Sequence, residues 1–253
     1  MSKADKSSAF TLLELLVVAA VLTLLLGILA PSLVAARGAA KKTLCAANMR
    51  AMFTATMIYY EANRGQFFPF RQDVTEGVLW YWGLEPPGAS QEGSRPLDRS
   101  RAKLAGYISQ SVRFCPALSA DMPYFKPKFD LAGYGYAINQ YMLSEWAGKM
   151  NWHSISRPFE TVVWADSMQI NTFQAPASPT NPMLEEWYYL SNRSTEPANF
   201  HFRHDKGCNA AFADGTVRTL KPYWLDVRCD RLVGRPEKAV NPPSTPQLLR
   251  LDK

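Results

Sequence analysis

Between Lys6 and Arg37 the chain carries one formal charge, Glu14, and nearly every other residue there is Leu, Val, Ala or Ile. Residues 10–36 form a run of 27, and a helix needs about 20 predominantly apolar residues to cross a bilayer. The simplest alternative is a secretion signal that is removed. Lys3 and Lys6 would be its basic start, and Val34-Ala35-Ala36 its small-residue cut. The apolar stretch is longer than the ~7–15 residues usual for such a signal. It also holds a carboxylate that costs roughly 2.5–3.5 kcal/mol at a bilayer centre and less near an interface. A discarded segment has no use for that group, whereas a retained segment that pairs Glu14 does.

Beyond the run the composition is ordinary. Hydrophobic residues make up 47% of the chain and charged residues 20%, which excludes a disordered polymer. Eighteen Pro and 14 Gly argue against an all-helical protein. Helical spacing continues through Leu44, Ala47, Met49, Ala51, Met52, Ala55 and Ile58, until Asn63-Arg64-Gly65, where Gly65 can supply a left-handed stop. A helix over residues 10–63 has 54 residues, or about 80 Å at 1.5 Å each. Short apolar runs broken by Pro and Gly follow. Residues 162–165 read as a buried strand, and Asp214-Gly215 between two strand-like runs reads as a hairpin. The expected class is α+β: a long N-terminal helix packed on an antiparallel sheet, with an enlarged, loop-rich head. The divisions are residues 1–9, 10–36, 37–63, a head at 64–233 and a mobile Pro-rich tail at 234–253.

The segment Ser8-Ala9-Phe10-Thr11-Leu12-Leu13-Glu14-Leu15-Leu16-Val17 resembles the class III signal of type IV prepilins and pseudopilins. The resemblance implies that a prepilin peptidase cuts between Ala9 and Phe10 and methylates the new amino terminus. Glu14 then becomes the fifth mature residue and Pro31 the twenty-second, matching the family's acidic residue and helix-kinking proline. The family usually has Gly before the cut; this chain has Ala9, which is also small. The free amine of Phe10 beside hydrocarbon makes Glu14 of a neighbouring subunit its natural counter-ion, a pairing that would set the stagger between helices. Pro31 lacks an amide hydrogen and should bend the helix. Arg37, Lys41, Lys42 and Arg50 outnumber Lys3 and Lys6, so the positive-inside rule does not fix orientation. An exported head rests on the resemblance.

The head carries a second resemblance. His204, nine residues, then Asp214-Gly215 is similar to the H-x9-DG element of many prepilin-like proteins, although the His that often follows the Gly is Thr216 here. No nucleophile motif, His-x-x-x-His or Cys-x-x-Cys spacing accompanies it. The residues therefore point away from an enzyme. The simplest role for Asp214 is to cap its turn, with His204 or Arg203 bonded to it or to nearby backbone. Asp166 and Asp214, read as exposed, are hard-oxygen candidates for a divalent ion such as calcium. No other cofactor is implied.

Cys45, Cys115, Cys208 and Cys229 lie beyond the apolar run and either form two disulfides in an oxidising exterior, in any of three full pairings, or stay as isolated reduced thiols. The net charge of +6 becomes +5 when residues 1–9, with two Lys and one Asp, are removed. Arg37, Lys41 and Lys42 suit anionic headgroups. Arg95, Arg99, Arg101 and Lys103 read as a solvated loop rather than a nucleic-acid site. The resemblance implies a membrane-anchored pilin-like or pseudopilin subunit of a type II secretion system or type IV pilus, its head in the periplasm or at the cell surface. Its partners would be other pilin-like subunits, the prepilin peptidase and an inner-membrane assembly platform. The alternatives are an exported enzyme or carbohydrate-binding module on a pilin-type anchor, for which Trp80, Trp82, Trp146, Trp152, Trp164 and Trp187 would serve, and a secreted protein cut after Ala36.

Overall fold

The computed structural model describes residues 11–88, 92–119, 122–130, 135–143, 151–191, 197–236, 239–240 and 250–251. The Ala9–Phe10 cleavage position, Trp146 and most of the tail lie outside them. The fold is α+β, with two compact units, residues 1–40 and 41–253.

One helix, α1 (Leu12–Ala62), crosses both units. Its start is a capping box: the Glu14 carboxylate accepts from the Thr11 amide at 2.8 Å, and the Thr11 hydroxyl accepts from the Glu14 amide at 3.2 Å. The helix runs on through Pro31. Every residue from 11 to 40 is exposed, so nothing in this unit covers its leucines and valines. The helix is long and apolar enough to span a membrane. It stops as its sequence requires, with Arg64 and Gly65 at φ +57° and +74° and the Gly65 amide donating to the Tyr60 carbonyl at 2.9 Å.

In the second unit, α1 buries Cys45, Met49, Met52, Ala55, Thr56 and Tyr60, a stripe at spacings of three and four. Met49, Met52 and Ala55 bear out the stripe that the sequence implied, but Leu44 and Ile58 at its edge are 53% and 49% exposed. Counting only apolar residues misplaced that edge, because the face buries a polar Thr56 whose hydroxyl accepts from the Trp164 indole at 3.0 Å.

Strands β1 (Arg71–Val74), β2 (Gly77–Trp80) and β3 (Gly83–Glu85) form an antiparallel meander. After β4 (Phe125–Lys126) come β5 (Tyr136–Asn139) and β6 (Val162–Asp166), then β7 (Gln169–Asn171), β8 (Met183–Glu185) and β9 (Tyr189–Leu190). β10 (Phe200–His201), β11 (Cys208–Phe212), β12 (Val217–Leu220), β13 (Pro222–Leu225) and β14 (Val233–Pro236) complete the main sheets, followed by a pair, β15 (Ala239–Val240) and β16 (Arg250–Leu251). The main sheet has the order β12-β11-β6-β5-β9. It is mixed rather than purely antiparallel, because β9 runs parallel to β5, as β8 does to β4 in a smaller sheet. The expected tail begins too early: β14 runs on to Pro236 between β10 and β13, and Gly234 and Pro236 are buried. Its Gly and Pro hid a strand whose partners are distant in sequence.

Alternation along the main sheet sorts its side chains onto two faces. Tyr136, Ile138, Trp164 and Ala211 join the core under α1, while Ala137, Val162, Ala165, Cys208, Ala210 and Phe212 form a second core on the other side. Asp166, two residues beyond Trp164 on β6, comes to the α1 face and meets Cys45.

Candidate functional site

Four side chains converge between α1 and the end of β6: Cys45, Cys115, Asp166 and His204, all buried, with their potential ligand atoms within 4.8 Å of one another. Cys45 is held by the helix and Asp166 by the strand. Cys115 enters from the Phe114-Cys115-Pro116 turn, which the Asn48 side chain grips through the Phe114 carbonyl at 3.4 Å. Gly135 lets this turn close in, since a Cβ there would lie 3.0 Å from the Cys115 nitrogen and 3.3 Å from the Arg203 guanidinium. His204 opens a tight turn in which its amide and that of Gly207 each bond the other's carbonyl, at 3.0 and 2.9 Å. Asp205 and Lys206 between them have φ of +52° and +56°, the pattern of a type I′ turn.

The contacts are close. Cys45 Sγ lies 3.3 Å from Asp166 Oδ1, Cys115 Sγ 3.4 Å from His204 Nε2, and that same Nε2 3.3 Å from Asp166 Oδ2. The Asn209 amide donates to Asp166 Oδ2 at 2.9 Å. Arg203, also buried, places Nε 3.8 Å from Asp166 Oδ1 and donates through Nη2 to the Ser167 and Gly135 carbonyls.

Burial pushes the Cys45 thiol up, and Cys115 and Asp166 push it further. A hydrogen bond from Cys45 draws Cys115 down to about 5 against the effect of burial, with help from His204 and Arg203. Burial opposes charge on Asp166 as well, yet Arg203 and His204 hold its carboxyl below the usual carboxylate range. His204, which burial would lower, is raised to about 9 by Asp166 and Cys115.

This is not a nucleophilic triad. A catalytic imidazole takes the proton of its nucleophile on one ring nitrogen and is oriented through the other, but here Cys115 and Asp166 both face Nε2. Cys115 is also fully enclosed, with 0% exposure.

The sequence singled out all four of these residues separately. The structure unites them and separates Asp166 from Asp214. Ala210 pairs with Ala165 and Phe212 with Val162, so Asp214 lies past the far end of β6, at least roughly 13 Å along the strand from Asp166. The two carboxylates named as calcium candidates thus lie apart, and Asp166, read as exposed, has 0% exposure and sits among thiols and an imidazole. Asp214 does cap its turn, its Oδ1 accepting from the Thr216 amide at 2.9 Å, with Gly215 at φ +82°. His204 does not reach toward it but bonds within the cluster.

The four cysteines are free thiols. Cys45 and Cys115 are neighbours, whereas Cys208 belongs to the opposite core and Cys229 donates to the Pro182 carbonyl at 3.0 Å. Arg203 was not among the sequence candidates for a bound group. Its burial beside Asp166 is a tertiary fact with no local signal.

A second feature is a cavity of about 280 Å³ near Trp80, Trp82, Trp187 and Tyr188, with Arg95 and Lys128 in its wall. Trp82 stacks on Tyr188 at 3.8 Å, and Lys128 lies 5.0 Å from the Trp187 ring. The basic stretch of the sequence is largely engaged: Arg95 pairs with Glu85 at 2.9 Å and Glu92 at 3.1 Å, and Lys103 bonds Gln72.

Among known proteins, the family model described as the prokaryotic N-terminal methylation motif matches residues 5–30. No curated protein and no solved structure matches the chain. The matched segment, together with an exposed helix able to span a membrane, supports a pilin-like chain with a single-pass anchor.

Proposed function

We propose that this chain is a pilin-like or pseudopilin subunit, cut by a prepilin peptidase between Ala9 and Phe10, methylated on Phe10, and assembled into or priming a filament of a secretion or surface-attachment system. The observation that carries this reading is the methylation motif over residues 5–30, together with the exposure of every α1 residue from Leu12 to residue 40. Such a surface needs lipid before assembly and neighbouring helices after it. Leu44 and Ile58 continue an exposed apolar edge on the part of α1 that belongs to the head and would extend that packing. The protein acts here as a structural subunit, with its head exported.

Mass spectrometry of the mature amino terminus tests this reading. N-methylated Phe10 is the expected first residue; a chain starting at Arg37 would identify a secreted protein and sink the proposal.

A further inference from the structure

We propose that Cys45, Cys115, Asp166 and His204 form a closed tetrahedral site for one Zn(II) ion, which staples α1 to the sheet and to the two loops that supply Cys115 and His204. This inference does not depend on the filament reading.

Four ligand atoms of the types that zinc takes, two sulfurs, one imidazole nitrogen and one carboxylate oxygen, lie within 4.8 Å of one another. Zinc bonds of about 2.0–2.3 Å in a tetrahedron require ligand atoms roughly 3.3–3.8 Å apart. Three contacts have that size, Cys45 to Asp166 Oδ1 at 3.3 Å, Cys115 to His204 at 3.4 Å and His204 to Asp166 Oδ2 at 3.3 Å, so either carboxylate oxygen can serve as the fourth ligand. The focus of both Cys115 and Asp166 on His204 Nε2, which argues against a triad, is what a metal-directed imidazole shows. The thiolates favour zinc over magnesium or calcium. With all four ligands buried, no coordination position is left open to water, so the site is structural.

The surroundings balance the charge. Two thiolates and a carboxylate carry three negative charges; a divalent ion and the Arg203 guanidinium carry three positive ones. Arg203 is held beside Asp166 by the Ser167 and Gly135 carbonyls, while its Nε and Nη1 have no hydrogen-bond partner among the described residues. Asn209 orients the carboxylate through its amide, as outer partners of metal ligands do. The Tyr136 hydroxyl, buried beside Cys45, also lacks a hydrogen-bond partner among the described residues and can donate to a Cys45 thiolate once zinc has displaced its proton. On binding, the protons held by the two thiols and by His204 Nε2 pass to solvent, and no electron moves.

The test uses the full chain in detergent, purified without chelator or a metal-binding tag. Elemental analysis is expected to find about one zinc per chain. Exchange with Co(II) should give the intense visible bands of tetrahedral cobalt and the near-ultraviolet charge transfer of its thiolates. Cys115→Ser should lower the zinc content more than tenfold, while Cys229→Ser, outside the cluster, should leave it unchanged. The cobalt spectrum of the unmodified chain decides the matter if Cys115→Ser does not fold. Chain that stays free of zinc and cobalt after reduction and incubation with each ion overturns the proposal. An intact mass short by two hydrogens, traced to a Cys45–Cys115 disulfide in metal-free chain, overturns it as well.

Discussion

Glu14 illustrates how one side chain can hold two roles in succession. Within its own chain the carboxylate completes a capping box with Thr11, so it is hydrogen-bonded even before any neighbour arrives. In a filament the same group can face the amine of Phe10 on the next subunit. Replacement by Gln keeps an acceptor for the Thr11 amide but removes the charge. Glu14→Gln should therefore impair filament assembly severely, while the thermal unfolding of the head stays unchanged; normal filaments would refute the counter-ion role. A buried ion pair lies away from the helix. Lys126 Nζ and Glu185 Oε1 are 2.7 Å apart, each with 1% side-chain exposure, and Asn171 and Gln169 also bond Glu185. Lys126→Met takes from Glu185 the nearer of two lysines and leaves Lys128 at 3.8 Å, so it should cost about 3 kcal/mol in a denaturant titration, the low end for a broken buried pair. Burial opposes ionisation of Glu185, but Lys128 and Lys126 outweigh it and hold the carboxyl below its ordinary 4.5. The unfolded chain thus binds this proton more readily than the folded one. The contribution of Glu185 is present above about pH 4.5 and is lost as pH falls through the lower folded value. Acid titration of Glu185→Gln beside the parent chain should show a shallower loss of stability for the variant.

The β11–β12 hairpin and the stop of α1 are the parts most legible from local chemistry. Asp-Gly between two apolar runs specified the first and Asn-Arg-Gly the second, because each depends on backbone conformations that few residues adopt. Gly215 at φ +82° has 3.5 Å of room toward Phe53, so a methyl group fits but the left-handed backbone is strained. Gly215→Ala should cost about 1–2 kcal/mol without altering the fold, as read from the unfolding midpoint and the circular dichroism of the folded state. The buried face of α1 was less legible. A list of apolar residues favours Leu44 and Ile58, whereas the packed face runs through Cys45, Thr56 and Tyr60. Amphipathic periodicity gives the spacing of a stripe but loses its direction when a helix is apolar on more than one side. β14 was missed for the opposite reason, since Gly and Pro mark it locally as a tail and only its ladders with β10 and β13 make it a strand.

The whole molecule joins two units with different solvent requirements. Residues 11–40 are exposed throughout, leucines and valines included, whereas the described residues from 41 onward enclose two hydrophobic cores. A chain beginning at Lys41 should therefore remain soluble without detergent and melt cooperatively, whereas the full chain should need detergent. Aggregation of the shortened chain with loss of the near-ultraviolet aromatic signal would show that the head depends on the anchor. What could be read from the residues in order was a helix long and apolar enough to span a membrane, the helix stop and the capped hairpin. Each rests on hydrophobicity or backbone preference within a few neighbouring residues. The cluster of Cys45, Cys115, Asp166 and His204 was legible only as four scattered candidates. Cys45 and Asp166 are 121 positions apart, and Cys115 and His204 are 89 apart. Strand alternation sent Cys208 to the far face and Asp166 to the near one, and packing of α1 on that face completed the set. Neither step leaves a signature in local spacing, because sheet register and helix docking are set by contacts between residues distant in the chain.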